Sequence, residues 1–252
     1  TDVADDALAA LHAAHRELTG ADRVLILGAG PVGLELAGEI KAEWPDKRVT
    51  LVDPAAELLP GFLPELVADL RRQLDEIGVE VRLGTGLTAA PPTAPGVAGE
   101  FTVRDEKGAE LTADIWFRAY GSSIHTDFLD GAIPRNDLGQ VRVTERLNVE
   151  GFDTVYALGD ITDVPETKMA AMALRHAEVV AANIIAHARG AEPETVYQPI
   201  PVKVILLPLG PAAGVGQFPN EQGTPFQTPA ATVIQMKGAD MMLGHFRELF
   251  NV

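Results

Sequence analysis

The chain has 252 residues, of which 36 are acidic and 20 basic, giving a formal charge of −16, and it has no cysteine. So acidic a surface repels phosphate backbones and anionic lipid, which argues against nucleic acid as a partner. Without cysteine there is no disulfide, cysteine-ligated metal centre or thiol nucleophile, and a cytoplasmic location is the default expectation.

Residues 4–18 carry alanine and leucine at helical spacing, so a helix leads in. Arg23-Val24-Leu25-Ile26-Leu27 is a short apolar run ending at Gly28, the texture of a parallel strand buried on both faces. Pro31 then stands where a first helical turn begins, with Val32, Leu36, Ala37 and Ile40 at helical spacing. After Pro45, Arg48-Val49-Thr50-Leu51-Val52 reads as the next strand, completing a β-α-β unit. Leu63, Leu66, Val67, Leu70, Leu74 and Ile77 stripe a second helix closed by Gly78, and Val79, Val81 and Leu83 alternate as a strand. Residues 90–96 are too rich in proline for regular structure. Residues 101–104 and 111–113 flank the turn Asp105-Glu106-Lys107-Gly108 as a hairpin, and Ile115 to Ala119 forms a further strand ending in Tyr120-Gly121. Farther on, Val141 and Val143 alternate, Thr154 to Leu158 reads as a strand leading into Gly159-Asp160, and residues 168–188 as an alanine-rich helix. Val202 to Leu207 reads as a strand and residues 231–250 as a helical tail. No apolar run approaches the roughly 18 residues a transmembrane helix needs.

The triplet Gly28, Gly30 and Gly33 has the dinucleotide spacing. The first glycine allows a tight turn, the second lets backbone approach a pyrophosphate, and the third lets helix and strand pack closely. Pro31 and Val32 complete the turn, and the helix behind it offers amides and a positive dipole end to phosphates. Such a triplet is weak evidence alone. Here it follows a strand, opens a helix and is completed by Asp53 at the end of the second strand. A carboxylate there accepts ribose hydroxyls and repels a 2′-phosphate, so NADH is expected over NADPH, although a turn-capping aspartate before Pro54 is the plainer alternative. Glu35 lies in the first turns of the same helix. His12, His15, His125, His187 and His245 show no metal-ligand spacing, and no metal site is expected.

Gly28 to Ala37, GAGPVGLELA, resembles the second dinucleotide motif of two-dinucleotide-domain flavoproteins. Thr154 to Asp160, TVYALGD, followed by Thr167-Lys168-Met169-Ala170 and a long helix, resembles their flavin-binding closing segment. Glu39 to Asp53, Lys203 to Gln217 and Met236-Lys237-Gly238-Ala239-Asp240 resemble the apoptosis-inducing-factor-like, ferroptosis-suppressor branch of the FAD-dependent pyridine nucleotide-disulfide oxidoreductases. That resemblance runs from about Ala21 to the C-terminus. It implies that Glu35 lies near the nicotinamide, that Asp160 bonds the ribityl–phosphate part of FAD, and that backbone at Met169 and Ala170 lies near the flavin ring. It adds Gly121, Gly159 and Lys168 as cofactor contacts, and His176 and Lys237 as catalytic candidates beside Glu35. A buried structural histidine and a solvated lysine remain the plain alternatives for the last two. Two departures stand out: the family's first, FAD-specific glycine motif is absent, and Tyr120 precedes Gly121 where a threonine is usual.

The expected architecture is therefore α/β: a Rossmann-like NADH domain at 1–125 with a doubly wound sheet and a hairpin-type crossover, the C-terminal part of a split FAD domain at 126–195, and a small α+β domain at 196–252. The implied activity passes hydride from NADH through flavin to a small electron acceptor such as a quinone. Because the chain opens on Thr1 and lacks the first motif, it reads as a fragment that alone holds FAD weakly or not at all. A stand-alone NADH-binding module or subunit is the alternative. Sheet edges left without neighbours make a homo-oligomer a further expectation.

Overall fold

The apolar runs sort into strands and their coverings in a computed structural model describing residues 3–121, 123–129 and 131–251. Helix α1 (Val3–Gly20) leads into β1 (Arg23–Leu27), α2 (Pro31–Glu43), β2 (Arg48–Asp53), α3 (Pro64–Glu76) and β3 (Val79–Leu83). The hairpin β4 (Phe101–Arg104) and β5 (Glu110–Ala113) follows, then β6 (Ile115–Arg118). Strands β3, β2, β1 and β6 lie side by side in that order, all parallel, with Val24 opposite both Val49 and Ile115.

Side-chain alternation along β1 decides what covers each face. Val24 and Ile26 join the cluster built with Leu34 and Ile40 of α2 and Leu66, Leu70 and Leu74 of α3. Leu25 faces the other way, with Val52 and Trp116, onto Phe101, Val103, Leu111 and Ala113 of the hairpin. The hairpin therefore covers the face that a crossover helix would otherwise cover, as its alternating pattern anticipates. Its turn is set by Asp105, whose Oδ1 accepts the Lys107 and Ala109 N–H groups at 3.0 and 2.8 Å.

Residues 1–121, 205–218 and 225–252 form one compact unit and residues 122–204 with 219–224 another. In the first unit, β7 (Ile205–Pro208), β8 (Gly214–Pro219) and β9 (Pro225–Thr228) make a three-stranded sheet. Ile205, Leu207, Leu209 and Val215 enter the same core as Leu34. Gly38 of α2 permits this approach, since a Cβ there would lie 2.5 Å from Leu209 Cα.

The tail departs from the single helix expected over 231–250. Helix α5 (Ala230–Val233) runs into a widened π-type turn at Ile234–Gly238, in which the Ala239 N–H reaches the Ile234 carbonyl at 2.8 Å. Met241 and Met242 then take left-handed backbone, and α6 (Leu243–Phe250) starts afresh. Asp240 causes the break: its carboxylate accepts the Met242 and Gly244 N–H groups at 2.9 and 3.0 Å, competing with helix continuation.

The second unit packs Leu147, Val164, Val180 and Tyr197 in one cluster and Val141, Val149 and Ala157 in another. Its long helix, α4 (Ala170–Ala188), starts two residues later than expected because Met169 takes extended backbone. The strand expected over 154–158 is not formed. Only Tyr156 pairs there, antiparallel with Asn148, and Val155 and Leu158 are each 39% exposed. Apolar texture alone does not make a strand: its backbone needs an extended neighbour, and Leu147 to Val149 supplies only a short one, with the Val149 N–H donating to the Val155 carbonyl at 2.8 Å and the Ala157 N–H to the Leu147 carbonyl at 3.1 Å. Among the described residues no helix is long and apolar enough to cross a membrane.

Candidate functional site

The glycine turn lies where β1 meets α2, at the C-terminal edge of the parallel sheet. Gly28 has φ +111°, and a Cβ there would lie 2.4 Å from the Ala119 carbonyl oxygen. At Gly33 a Cβ would lie 2.0 Å from the Gly28 carbonyl oxygen, so α2 can only pack this close through glycine. Gly30 differs from both. Its backbone is extended (φ −75°, ψ −179°) and a Cβ would meet nothing within 4 Å. Its missing side chain therefore leaves open space above the turn. Pro31 begins α2 and Val32 is exposed, and no side chain caps the helix N-terminus. The open cradle and an uncapped helix end fit a pyrophosphate.

Asp53 ends β2 and braces the turn. Its Oδ2 accepts the Ala29 N–H at 2.7 Å and its Oδ1 the Ala55 N–H at 2.7 Å. The carboxylate thus serves as a turn brace, and each oxygen keeps a further lone pair for a ribose hydroxyl. Gly121, at φ +83°, follows β6 at the same edge, beside an exposed Tyr120 whose ring centre is 5.9 Å from the Arg118 guanidinium.

Glu35 and Lys237 are separated by 202 residues and meet: Lys237 Nζ donates to Glu35 Oε1 at 2.6 Å. The widened turn at Ile234–Gly238 presents the lysine, and α2 presents the glutamate. The pair is neither a solvated lysine nor an isolated helix-terminal acid. One helical turn on stands Glu39, with a buried Oε1 that has no hydrogen-bond partner. Burial, and then the Glu35 charge, push its carboxyl above the ordinary range.

For an acid so raised, the folded state binds its proton more tightly than the unfolded chain. The stability it contributes is present below the ordinary 4.5 and is lost as pH rises through the folded value. Glu39→Gln keeps the shape without the charge. In melts at pH 4, 6 and 8, we expect the variant to gain on the parent as pH rises. A difference independent of pH would rule this out.

The second unit holds the remaining candidates. Gly159 opens a 3-10 turn through Ile161 with φ +75°, and Asp160 beside it is exposed. Thr162 Oγ1 donates to the Gly159 carbonyl at 2.8 Å. Lys168 is drawn back onto the loop, donating to the Thr162 and Val164 carbonyls at 2.8 and 2.7 Å. Burial lowers its pKa, opposed by Glu166, Asp160 and Asp163. Met169 and Ala170 form the start of α4, which no side chain caps. His176, on α4, is buried, and both its ring nitrogens bond inside the protein, to the Gly159 N–H and to Glu166. An exposed carboxylate at a tight turn, beside a helix end with no capping side chain, is a donor and acceptor set suited to the hydroxyls and phosphate of a flavin nucleotide.

Three residues here escaped the sequence reading. Glu39 falls within a recognised segment but gives no linear sign of being buried. Glu166 and Tyr197 flank α4 as an ordinary acid and an ordinary aromatic, and only their tertiary contacts distinguish them. Among the described residues no cluster of histidine and carboxylates is suited to a metal ion.

A parallel sheet of this strand order, with a glycine turn at its C-terminal edge and an aspartate closing the second strand, defines a dinucleotide-binding α/β protein. The family model of the pyridine nucleotide-disulphide oxidoreductases matches residues 2–177, and the chain belongs to that family. It is 32% identical over 209 residues to ferroptosis suppressor protein 1 of Taeniopygia guttata, covering 80% of this chain and 55% of that protein. It is 31% identical over 208 residues to an FAD-dependent oxidoreductase of Flammulina velutipes, covering 81% of this chain and 62% of the other. Among solved structures, the water-forming NADH oxidase of Lactobacillus brevis bound to NADH superposes with a TM-score of 0.62 at 22% identity, over 74% of this chain and 40% of that one. The last shares the fold. The chain thus spans little more than half the length of the curated relatives it matches.

Proposed function

We propose that the chain is the NADH-binding and flavin-contacting part of an FAD-dependent NADH oxidoreductase that reduces a small acceptor such as a quinone. In this reading residues 1–125 hold NADH, 126–195 contribute to the FAD site, and 196–252 supply Lys237. The observation that carries it is the glycine turn: open above Gly30, sterically closed to side chains at Gly28 and Gly33, and braced by Asp53 through the Ala29 amide. The names of the relatives support the redox class, one of them being called an FAD-dependent oxidoreductase.

When bound, flavin supplies the hydride acceptor and the route for electrons to the second substrate. This chain's residues do the rest. The α2 end and Gly30 hold the pyrophosphate, and Asp53 orients the adenosine ribose. Glu35, aimed by its hydrogen bond from Lys237, presents a carboxylate at the nicotinamide end of the helix that begins at the turn. Asp160 and the start of α4 hold the ribityl and phosphate groups of FAD, with Met169 and Ala170 offering backbone to the ring.

The chain has one glycine fingerprint, and Asp53 and Glu35 assign it to NADH. The flavin half-site then offers a few hydrogen bonds worth about 1 kcal/mol each, against several kcal/mol for immobilising so large a ligand. Protein saturated with NADH by calorimetry should therefore lose its flavin absorption when mixed with excess FAD and desalted. Stoichiometric retained flavin would overturn the half-site assignment, and failure to bind NADH would overturn the whole reading.

A further inference from the structure

The turn that carries Asp160 is held from behind. The Gly159 N–H donates to Nδ1 of His176 at 3.0 Å. A ring nitrogen that accepts a backbone N–H carries no proton, so the imidazole hydrogen sits on Nε2 and donates to Glu166 Oε1 at 2.8 Å. The histidine and glutamate side chains are 2% and 1% exposed. Glu166 also accepts the Tyr197 hydroxyl, 2.8 Å from each oxygen, and the Ile200 N–H at 3.3 Å. Arg175 closes the outside, donating to the Tyr197 oxygen at 3.0 Å with its guanidinium 5.0 Å from the ring centre. The His176, Tyr197 and Ile200 bonds each bring a donor to the Glu166 carboxyl oxygens, as buried acceptors require. Burial first, and the bond to Glu166 second, hold the Tyr197 hydroxyl above its usual range, so it stays a donor.

The opposite tautomer is excluded by the same contacts. A proton on Nδ1 would face the Gly159 N–H hydrogen to hydrogen, and the bare Nε2 would face a carboxylate. The network also clips α4 at both ends, because Glu166 precedes the helix and Tyr197 and Ile200 follow it.

We propose that Glu166 and Tyr197 fix His176 in its Nε2–H tautomer, and that His176 is a positioning residue which sets the Gly159–Asp160 turn for a flavin nucleotide, rather than a proton donor to the flavin. The proposal rests on the flavin half-site reading above and adds the device that shapes it. Its reach is local: a ring whose two nitrogens are both spent inside the protein has no proton to offer a ligand, but it controls where the Asp160 carboxylate stands.

Nitrogen NMR of the labelled chain tests it. The wild-type imidazole should show the Nε2–H pattern, with a coupling across the hydrogen bond between the Gly159 amide nitrogen and His176 Nδ1. Titration with FAD, even at weak affinity, should shift the Gly159 and Asp160 amides. His176→Asn places an amide oxygen where Nδ1 was and should hold FAD affinity within about threefold. His176→Leu has no acceptor and should weaken it about tenfold, the weight of one hydrogen bond. Glu166→Ala frees Nε2 and should abolish the cross-bond coupling. An Nδ1–H ring in the wild type, or equal FAD affinity in wild type and His176→Leu, overturns the positioning role alone. If FAD leaves the wild-type Gly159 and Asp160 signals unmoved, the flavin half-site falls, and the positioning role with it.

Discussion

Gly30→Val is expected to weaken NADH binding at least about a hundredfold while costing little stability. The two effects separate because of where the side chain would go. Gly30 has an extended backbone that valine adopts readily, and its Cβ would meet no protein atom within 4 Å. The isopropyl group would instead fill the space above the turn, which the pyrophosphate needs. Losing two bonds to a charged ligand, at roughly 1.5–3 kcal/mol each, accounts for a factor of about a hundred or more. Valine is a poorer helix N-cap than glycine, so a fall of about 2–4 °C in melting temperature is expected, corresponding to roughly 1 kcal/mol. Gly33→Ala is the contrasting control: its methyl would sit 2.0 Å from the Gly28 carbonyl oxygen, so fold and binding fail together. Calorimetric titration with NADH and thermal melts of both variants decide the matter. A Gly30→Val protein that binds NADH like the parent would place the nucleotide elsewhere.

NADH should bind about ten- to a hundredfold more tightly than NADPH. Asp53 lies at the end of β2 with both oxygens bonded to backbone amides, which pins the carboxylate and its charge at the turn. A 2′-phosphate brought there meets a fixed negative charge, and the ribose hydroxyl it replaces loses its acceptor. Together these amount to roughly 1–3 kcal/mol. The preference should shrink in Asp53→Asn, which keeps an acceptor oxygen but loses the charge. Asparagine must also donate where Asp53 accepts, so some loosening of the Ala55 contact is expected, and NADH affinity should fall with it. Competitive titration of the two nucleotides measures the ratio directly. Equal affinities for wild type would remove Asp53 from the recognition argument.

What was legible in the sequence is what thirty neighbouring residues settle among themselves. Runs such as Val24-Leu25-Ile26 can only be strands covered on both faces, and a glycine triplet between such a strand and a helix opened by proline has one backbone path. Asp53 follows because the second strand must end beside that turn. The alternation at Phe101–Arg104 and Glu110–Ala113 likewise marks a hairpin with one buried face. The structure decided what depends on approach across long chain separations. Glu35 reaches Lys237 only because Gly38 lets the Leu209 backbone lie against α2 and because the Ile234–Gly238 turn is widened. The 154–158 segment has strand texture, yet pairs at Tyr156 alone, since a strand is a property of two backbones. Glu39 and Glu166 are written with the same letter as any solvated acid. Burial without a partner pushes one carboxyl above the ordinary range, and burial among donors holds the other in a fixed set of hydrogen bonds, because desolvation and hydrogen bonding act on the folded surroundings of a side chain and not on its place in the chain.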